Sequence, residues 1–182
     1  MRTGACNDWW TANVTTDSSN PRELIEALTA RAGAAEGEGL SPADIAAYAQ
    51  AIARAAHEGQ VDKAGQAYIA HPARVAAAVR GDDAVAVAWL HDVVEDTAVT
   101  LSDLETLFPP EIVAAVDAIT RRDGETPEEY YARIRTTPLA VTVKLADIAD
   151  NADPARLALL DEKTRNRLTR KYARSLNALT SA

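Results

Sequence analysis

Cysteine is almost absent from this sequence of 182 residues, which contains only Cys6. A single cysteine excludes an internal disulfide framework and is typical of a protein from a reducing compartment. Long apolar runs are absent too, since no stretch approaches the roughly 18 residues of a membrane-spanning helix. Residues 1–20 also lack the basic start and apolar centre of a signal peptide. We therefore expect a cytoplasmic protein with no membrane partner.

Positive charge and aromatic side chains are also scarce. Lysine and arginine number 19 against 27 acidic residues, for a net charge of -8, and aromatics make up 5% of the chain. A nucleic-acid partner is not expected, because affinity for nucleic acid depends on clustered lysine and arginine. An acidic chain can still bind a phosphorylated small molecule, because a metal ion and a few local cations set the field in a site.

Alanine-rich segments with helical spacing and few continuous β-branched runs predict an all-α fold. The length suits one domain with its own core. We expect a flexible tail over residues 1–20 and a single domain over 21–182, with its core at 41–179. The hydrophobic spacing and capping residues predict helices over 21–32, 41–56, 71–81, 83–96, 101–108, 110–121, 126–135, 138–151 and 161–179.

One segment concentrates charge in an otherwise apolar part of the chain, the run His-Asp-Val-Val-Glu-Asp from His91 to Asp96. Burying a histidine and three acids is costly unless a metal ion or another partner compensates the charges. A His-Asp pair alone is also typical of a core histidine bonded to a neighbouring carboxylate. Glu95 and Asp96 could likewise form a solvated helix end, although acids there oppose the helix dipole unless a new cap begins just beyond them.

Two further candidate ligands flank this segment, His71 in Tyr-Ile-Ala-His-Pro and Asp147 in Lys-Leu-Ala-Asp. Each has a simpler explanation, because His71 could merely begin a helix and Asp147 could pair with Lys144 on the same helix face. The joint occurrence of both residues with His91 and Asp92 favours metal binding. Two imidazoles and two carboxylates suit a divalent cation of intermediate hardness, such as Mn²⁺ or Fe²⁺.

Four motifs follow one another in a characteristic order: Ala56-His57-Glu58-Gly59-Gln60 with Lys63, Tyr68-Ile69-Ala70-His71-Pro72, His91-Asp92-Val93-Val94-Glu95-Asp96-Thr97, and Lys144-Leu145-Ala146-Asp147 with Asn151. Together they resemble the hydrolase domain of the RelA/SpoT alarmone enzymes, a branch of the HD phosphohydrolase superfamily. The resemblance covers about residues 43–179 and implies an HD-domain helical bundle with a buried metal site. Since the chain has no room for synthetase and regulatory domains, it is similar to the small alarmone hydrolases.

The resemblance also implies a role for each matching residue. The implied metal ligands, normally of Mn²⁺ with Fe²⁺ and Zn²⁺ as alternatives, are His71, His91, Asp92 and Asp147. The implied catalytic pair, which positions or deprotonates the attacking water, is Glu95 and Asp96. The expected substrate contacts are Lys63, Asn151 and Tyr172, and Lys144 is a further cation for the transferred group.

The implied reaction is hydrolysis of the 3′-diphosphate of ppGpp or pppGpp, which releases pyrophosphate and GDP or GTP. One position departs from the family pattern, because Asp62 stands where the family usually has an arginine associated with the purine base. Hydrolysis of another nucleotide, such as ppApp or the 2′-phosphate of NADPH, therefore stays open, and a non-catalytic nucleotide sensor is a separate alternative. A second copy of the chain or an alarmone synthetase is a further possible partner.

Overall fold

Helices form the architecture of the part of the chain that the computed structural model describes, residues 20–34 and 40–181. They are α1 (Pro21–Ala34), α2 (Pro42–Ala56), α3 (Ala70–Ala78), α4 (Asp82–Leu90), α5 (Val93–Asp96), α6 (Leu101–Glu105), α7 (Pro110–Ile119), α8 (Pro127–Arg135), α9 (Pro138–Asn151), α10 (Pro154–Leu157) and α11 (Glu162–Thr180). Within the same residues no strand occurs beyond an isolated bridge between Val61 and Ala67. The all-α prediction is confirmed, whereas the predicted tail lies, except for Asn20, outside the described residues.

Capping side chains explain where several helices begin. The Ser41 hydroxyl accepts a hydrogen bond from the backbone N–H three residues on, at the start of α2. Thr126 and Thr100 each form a capping box with the acid three residues on, at the starts of α8 and α6. These contacts satisfy amide groups that have no partner within the helix. The cap at Thr100 also confirms that a new helix begins just beyond the acidic segment.

Helix α4 lies at the centre of the bundle. It packs against α2, α3, α7 and α9, and its side chains from Ala86 to Leu90 are all buried. A helix that is apolar on nearly every side is stable only when neighbours cover it all round. The end of α4 therefore delivers the next residue, His91, into the interior of the protein.

The predicted continuous helix over residues 83–96 is wrong in one respect. Helix α4 ends at Leu90, α5 begins at Val93, and His91 and Asp92 form a turn between them. The backbone of Asp92 has φ -107° and ψ -6°, outside the regular helical range. Adjacent residues of an unbroken helix point about 100° apart, so the turn allows these two side chains to approach each other.

Other differences from the predicted helices lie mostly at the ends. Helix α3 begins one residue before His71 and stops at Ala78, α6 stops at Glu105, and α7 stops at Ile119. The short helix α10 between α9 and α11 was not predicted, because four residues are too few to show helical periodicity. Among the described residues, no helix combines the length and the apolar character needed to cross a bilayer.

The guanidinium of Arg133 caps the carboxyl end of α7. Its nitrogens donate to the backbone carbonyl oxygens of Asp117, Ala118 and Thr120, at distances of 2.6 to 3.1 Å. The same group pairs with Glu125, with an N···O distance of 2.7 Å. Orphan carbonyls at a helix end require such donors when water cannot reach them. Arg133 thereby holds the chain segment that follows α7.

The Arg133→Gln substitution is expected to lower the free energy of unfolding by about 3 kcal/mol, because it leaves carbonyls and a half-buried carboxylate without partners. The matched control is Arg122→Gln, which removes an exposed pair with Asp117 and is expected to cost less than about 1 kcal/mol. Urea unfolding of both variants makes the comparison. Equal effects of the two substitutions would contradict a special role for Arg133.

Candidate metal centre and cleft

Three parts of the bundle bring the four predicted ligands together. His71 comes from the first turn of α3, His91 and Asp92 from the turn after α4, and Asp147 from α9. The two imidazole Nε2 atoms are 3.3 Å apart. Asp147 Oδ1 lies 3.2 Å from Nε2 of His71, and Asp92 Oδ2 lies 3.1 Å from Nε2 of His91. Donor atoms of His71, His91 and Asp147 all fall within 4.8 Å of one another, as a shared metal ion requires.

The outer nitrogens of both imidazoles are already bonded to the protein. His91 Nδ1 donates to the carbonyl oxygen of Ala88 at 2.7 Å, and His71 Nδ1 bonds to Oδ2 of Asp150 at 2.7 Å. Such contacts set the orientation and tautomer of ligating histidines, because they leave the lone pair of Nε2 facing inward. The residues present therefore fit a divalent cation, and this cluster is a candidate divalent-metal site.

Burial and neighbouring charges determine the protonation state of the two carboxyl groups in the cluster. Burial tends to raise the pKa of the Asp147 carboxyl, but Lys144 and the two histidines hold that pKa well below its usual range. Burial opposes ionisation of Asp92 as well, and His91 nonetheless lowers the pKa of Asp92. Both carboxylates are therefore charged at neutral pH. Negative charge facing two imidazoles inside a protein is a favourable environment for a cation.

The metal-free protein is expected to lose a stabilising contribution of His71 as the pH rises. Burial disfavours the charged imidazole, but hydrogen bonds to Asp147 and Asp150 outweigh it and raise the pKa of His71 from 6.5 to about 9. The contribution is thus full below pH 6.5 and is lost as the pH rises through about 9. In EDTA, wild type should exceed His71→Gln in unfolding free energy by more at about pH 6 than at about pH 10. A difference that grows with pH would contradict this assignment.

The predicted catalytic pair lies beside the cluster, at the end of α5. Glu95 and Asp96 are both exposed and line the same cleft. Glu95 Oε2 accepts a hydrogen bond from the backbone N–H of Arg121 at 3.0 Å. Partial burial and the neighbouring Asp92 carboxylate raise the pKa of Asp96. The pair therefore combines one anchored carboxylate with one of increased proton affinity.

Tyr68 connects the metal cluster with this acidic pair. Its hydroxyl donates to Oδ2 of Asp92 at 2.5 Å and lies 3.3 Å from Oδ2 of Asp96. Burial and the two carboxylates raise the pKa of Tyr68, so the hydroxyl keeps its proton and remains a donor. The sequence motif contains Tyr68, but its role was not predicted, because only the fold brings it within reach of residues more than 20 positions away.

The cluster lies in a cleft of about 670 Å³. The four predicted substrate contacts all line it: Lys63, Lys144, Asn151 and Tyr172. Two of them also bond to Asp147, since Lys144 Nζ lies 2.8 Å from its Oδ2 and the Asn151 amide donates to its Oδ1. The simpler explanation of Asp147 as a partner of Lys144 is therefore also observed, together with its place in the cluster.

Several cleft residues were missed by sequence reasoning. Lys171, beside Tyr172 on α11, faces the cleft, and Arg121, Arg156 and Arg74 also line it. Burial, together with the charges of Lys63 and Lys144, lowers the pKa of Lys171. Burial is the larger cause of that shift, and the neighbouring lysines add to it because several cations converge on the cleft of a chain that is acidic overall. No local pattern could have revealed it, because these cations come from separate elements.

Comparison with known proteins adds independent findings. A family model described as HD domain matches residues 49–147. A guanosine-3′,5′-bis(diphosphate) 3′-pyrophosphohydrolase of Vibrio cholerae is 34% identical over 129 residues, which cover 63% of this chain and 18% of that protein. The bifunctional (p)ppGpp synthase/hydrolase SpoT of Escherichia coli is 41% identical over 76 residues, which cover 40% of this chain and 11% of that protein. The chain thus spans less than a fifth of the length of these curated relatives.

A solved structure shares the fold. It is described as a metazoan ortholog of SpoT that hydrolyzes ppGpp and plays a role in starvation responses. The alignment has a TM-score of 0.65 at 22% sequence identity and covers 79% of this chain and 89% of the other. Likeness at this identity establishes a common helical architecture. Function has to be argued from the residues in the cleft.

Proposed function

This chain belongs to the HD domain family, and from that premise we propose that it is a metal-dependent 3′-pyrophosphohydrolase of the alarmones ppGpp and pppGpp. One observation carries the proposal: the candidate metal cluster of His71, His91 and Asp147 lies at a cleft that Asp92, an acidic pair and several cations also line. The convergence suits a polyanionic substrate with a hydrolysable phosphate. The names of the curated relatives support the same substrate.

We propose that Mn²⁺ is the bound ion. His71, His91, Asp92 and Asp147 would hold it, and a mixed set of imidazole and carboxylate donors suits Mn²⁺ or Fe²⁺ better than Mg²⁺ or Ca²⁺. When bound, such an ion supplies Lewis acidity that makes water a competent nucleophile near neutral pH. The remaining chemistry belongs to residues of the chain itself.

Glu95 and Asp96 would orient the attacking water and accept its proton. Glu95 is held in place by the Arg121 amide, so it can orient the water. Asp96 has a raised pKa, which suits a group that accepts a proton at neutral pH. The water attacks the proximal phosphorus of the 3′-diphosphate, and the bond from that phosphorus to the ribose 3′ oxygen breaks. The water oxygen stays with pyrophosphate, and the 3′ oxygen leaves with a proton as a hydroxyl.

Cations around the cleft would neutralise the phosphates. Lys63 and Lys171 lie on separate elements that line the cleft, and neither forms an ion pair among the described residues. Lys144 is engaged by Asp147 and is nearly buried, so it acts mainly by holding that carboxylate. Fixed positive charge aimed at developing negative charge stabilises a phosphoryl-transfer transition state.

Product analysis on a substrate panel tests the proposal. Purified protein with Mn²⁺ would receive ppGpp, ppApp and NADPH separately, and the products would be separated by ion-exchange chromatography. We expect GDP and pyrophosphate from ppGpp, with slower turnover of the other two. Faster turnover of ppApp or NADPH would overturn the guanosine preference. No turnover of any of them, with Mn²⁺ bound, would favour a nucleotide sensor.

The remaining expectations stay predictions. They are a cytoplasmic location, a second copy or an alarmone synthetase as partner, and one domain over residues 21–182. Size-exclusion chromatography with light scattering would measure the oligomeric state directly.

A further inference from the structure

A tight turn at residues 60–68, here called the rim turn, forms one edge of the cleft. Its backbone is closed by hydrogen bonds from Asp62 N to Gln66 O at 2.8 Å and from Tyr68 N to Gln60 O at 2.9 Å. Gly65 sits in it with φ +77°, a conformation that side chains other than glycine rarely adopt. Lys63, a proposed substrate contact, lies within the rim turn and lines the cleft.

Asp62 holds the rim turn together from inside. Its Oδ1 accepts hydrogen bonds from the backbone N–H groups of Ala64 at 2.8 Å and Gln66 at 3.0 Å. Despite some burial, these bonds and Arg156 lower the pKa of Asp62. The carboxylate is thus occupied by its own turn, and Arg156 compensates its charge. Although Asp62 lines the cleft, both of its carboxylate oxygens therefore have partners within the protein.

Arg156, on α10, reaches both the rim turn and the metal centre. Its Nη2 lies 3.5 Å from Oδ2 of Asp62. Its Nη1 donates to the side chain of Asp150 and to the backbone oxygen of Asp150, the latter at 3.1 Å. Asp150 is the residue whose Oδ2 bonds to Nδ1 of His71. One guanidinium therefore connects the carboxylate of the rim turn with the carboxylate that orients a metal ligand.

We propose that Arg156 is a positioning residue that joins the rim turn to the metal centre, with Asp62 and Asp150 as its two partners. The planar guanidinium has its donors in a fixed fork, so it holds two carboxylates in one geometry, whereas a lysine ammonium is a point charge on a flexible stem. Through this connection Lys63 and the imidazole of His71 keep a defined relation across the cleft. The kinetic consequence rests on the proposed function, whereas the structural consequence does not.

The chain contains a natural control for this assignment. Arg74, on α3, also bonds to Asp150, with Nε 2.6 Å from its Oδ1 and Nη2 3.2 Å from its Oδ2. Among the described residues, Arg74 forms no hydrogen bond or ion pair with the rim turn. Arg74 and Arg156 therefore share one partner and differ in the other. Comparing their glutamine variants therefore distinguishes the effect of losing the bond to Asp150 from the effect of losing the bond to Asp62.

Mn²⁺ affinity, measured by isothermal titration calorimetry, tests the metal end. We expect Arg156→Gln and Arg74→Gln each to weaken Mn²⁺ binding about 10-fold, because each removes a bond that fixes Asp150, the partner of His71, and outer contacts of ligating histidines have effects of this size. Asp62→Asn should leave Mn²⁺ affinity within about 2-fold of wild type, because Asp150 keeps both arginines. Unchanged affinity in Arg156→Gln would overturn the connection to His71. Circular dichroism would establish that each variant is folded.

Hydrogen exchange of the Ala64 and Gln66 amides tests the rim end without any substrate. We expect faster exchange in Arg156→Gln and Asp62→Asn, because the turn loses its outer anchor, and wild-type exchange in Arg74→Gln. Equal exchange in Arg74→Gln and Arg156→Gln would overturn the proposal. If ppGpp is turned over, the KM of Asp62→Asn should rise for ppGpp and ppApp by the same factor. A change confined to one base would instead make Asp62 a base-contacting residue.

Discussion

The Asp92→Asn variant is expected to lose bound metal and turnover together. Asp92 Oδ2 lies 3.1 Å from Nε2 of His91 and 3.6 Å from Nε2 of His71, so it borders the space that both imidazoles face. The asparagine keeps the size of the side chain but supplies no negative charge. We expect Mn²⁺ affinity to fall at least about 100-fold and kcat/KM on the order of 1,000-fold, as several kcal/mol of Lewis-acid stabilisation disappear.

Metal analysis of the purified variant, beside steady-state kinetics with ppGpp, measures both losses. The matched control is Asp117→Asn, since Asp117 pairs with Arg122 on the surface and does not line the cleft. The control should bind Mn²⁺ and turn over substrate as wild type does. A full complement of metal and full activity in Asp92→Asn would show that the centre lies elsewhere.

The second large effect is expected from the acidic pair. Glu95→Gln combined with Asp96→Asn should lower kcat by a factor of about 100 to 10,000, the usual contribution of general acid–base groups, with Mn²⁺ binding retained. The amides keep hydrogen-bonding capacity but cannot accept the proton of the water. Neither side chain is among the four proposed ligands. The double variant should therefore lose catalytic rate without losing bound metal, unlike Asp92→Asn.

Single variants should refine this result. If Glu95 and Asp96 act as a unit, each single substitution should cost nearly as much as the double one. Glu58→Gln is a suitable control, because Glu58 is exposed, follows His57 in sequence and does not line the cleft. Unchanged kcat in the double variant would assign proton transfer to another group, and Tyr68 would be the first to examine.

Most helices could be predicted because their signals are local. Serine and threonine caps, proline at the first turn and apolar spacing identify α2, α8 and α9 within a few residues. The turn at His91 and Asp92 could not be predicted in this way. It lies where α4 meets its neighbours and where His91 and Asp92 approach Asp147 and His71, and no local pattern contains these long-range contacts.

In the candidate site, too, residues within sequence motifs could be predicted, and residues whose roles depend on long-range contacts could not. The four candidate ligands were predicted from motif order, and the fold brings His71, His91 and Asp147 together with Asp92 beside them; their role as ligands stays a prediction. Asp150, Arg156 and Arg121 were missed, since their roles depend on contacts between residues that are 26 to 94 positions apart. Lys144 and Asn151 were expected at the substrate and lie in the cleft, yet both bond to Asp147. A side chain that lines the cleft can also hold a candidate metal ligand in place. The sequence does not distinguish these two roles, and the contacts in the structure do.

The most direct test of the account follows the water oxygen. The protein with Mn²⁺ would hydrolyse ppGpp in ¹⁸O-labelled water, and mass spectrometry would examine both products. We predict one ¹⁸O atom in pyrophosphate and none in GDP, because the water attacks the proximal phosphorus of the 3′-diphosphate in the cleft. Label in GDP, release of orthophosphate instead of pyrophosphate, or no hydrolysis by the metal-loaded protein would contradict the proposed 3′-pyrophosphohydrolase.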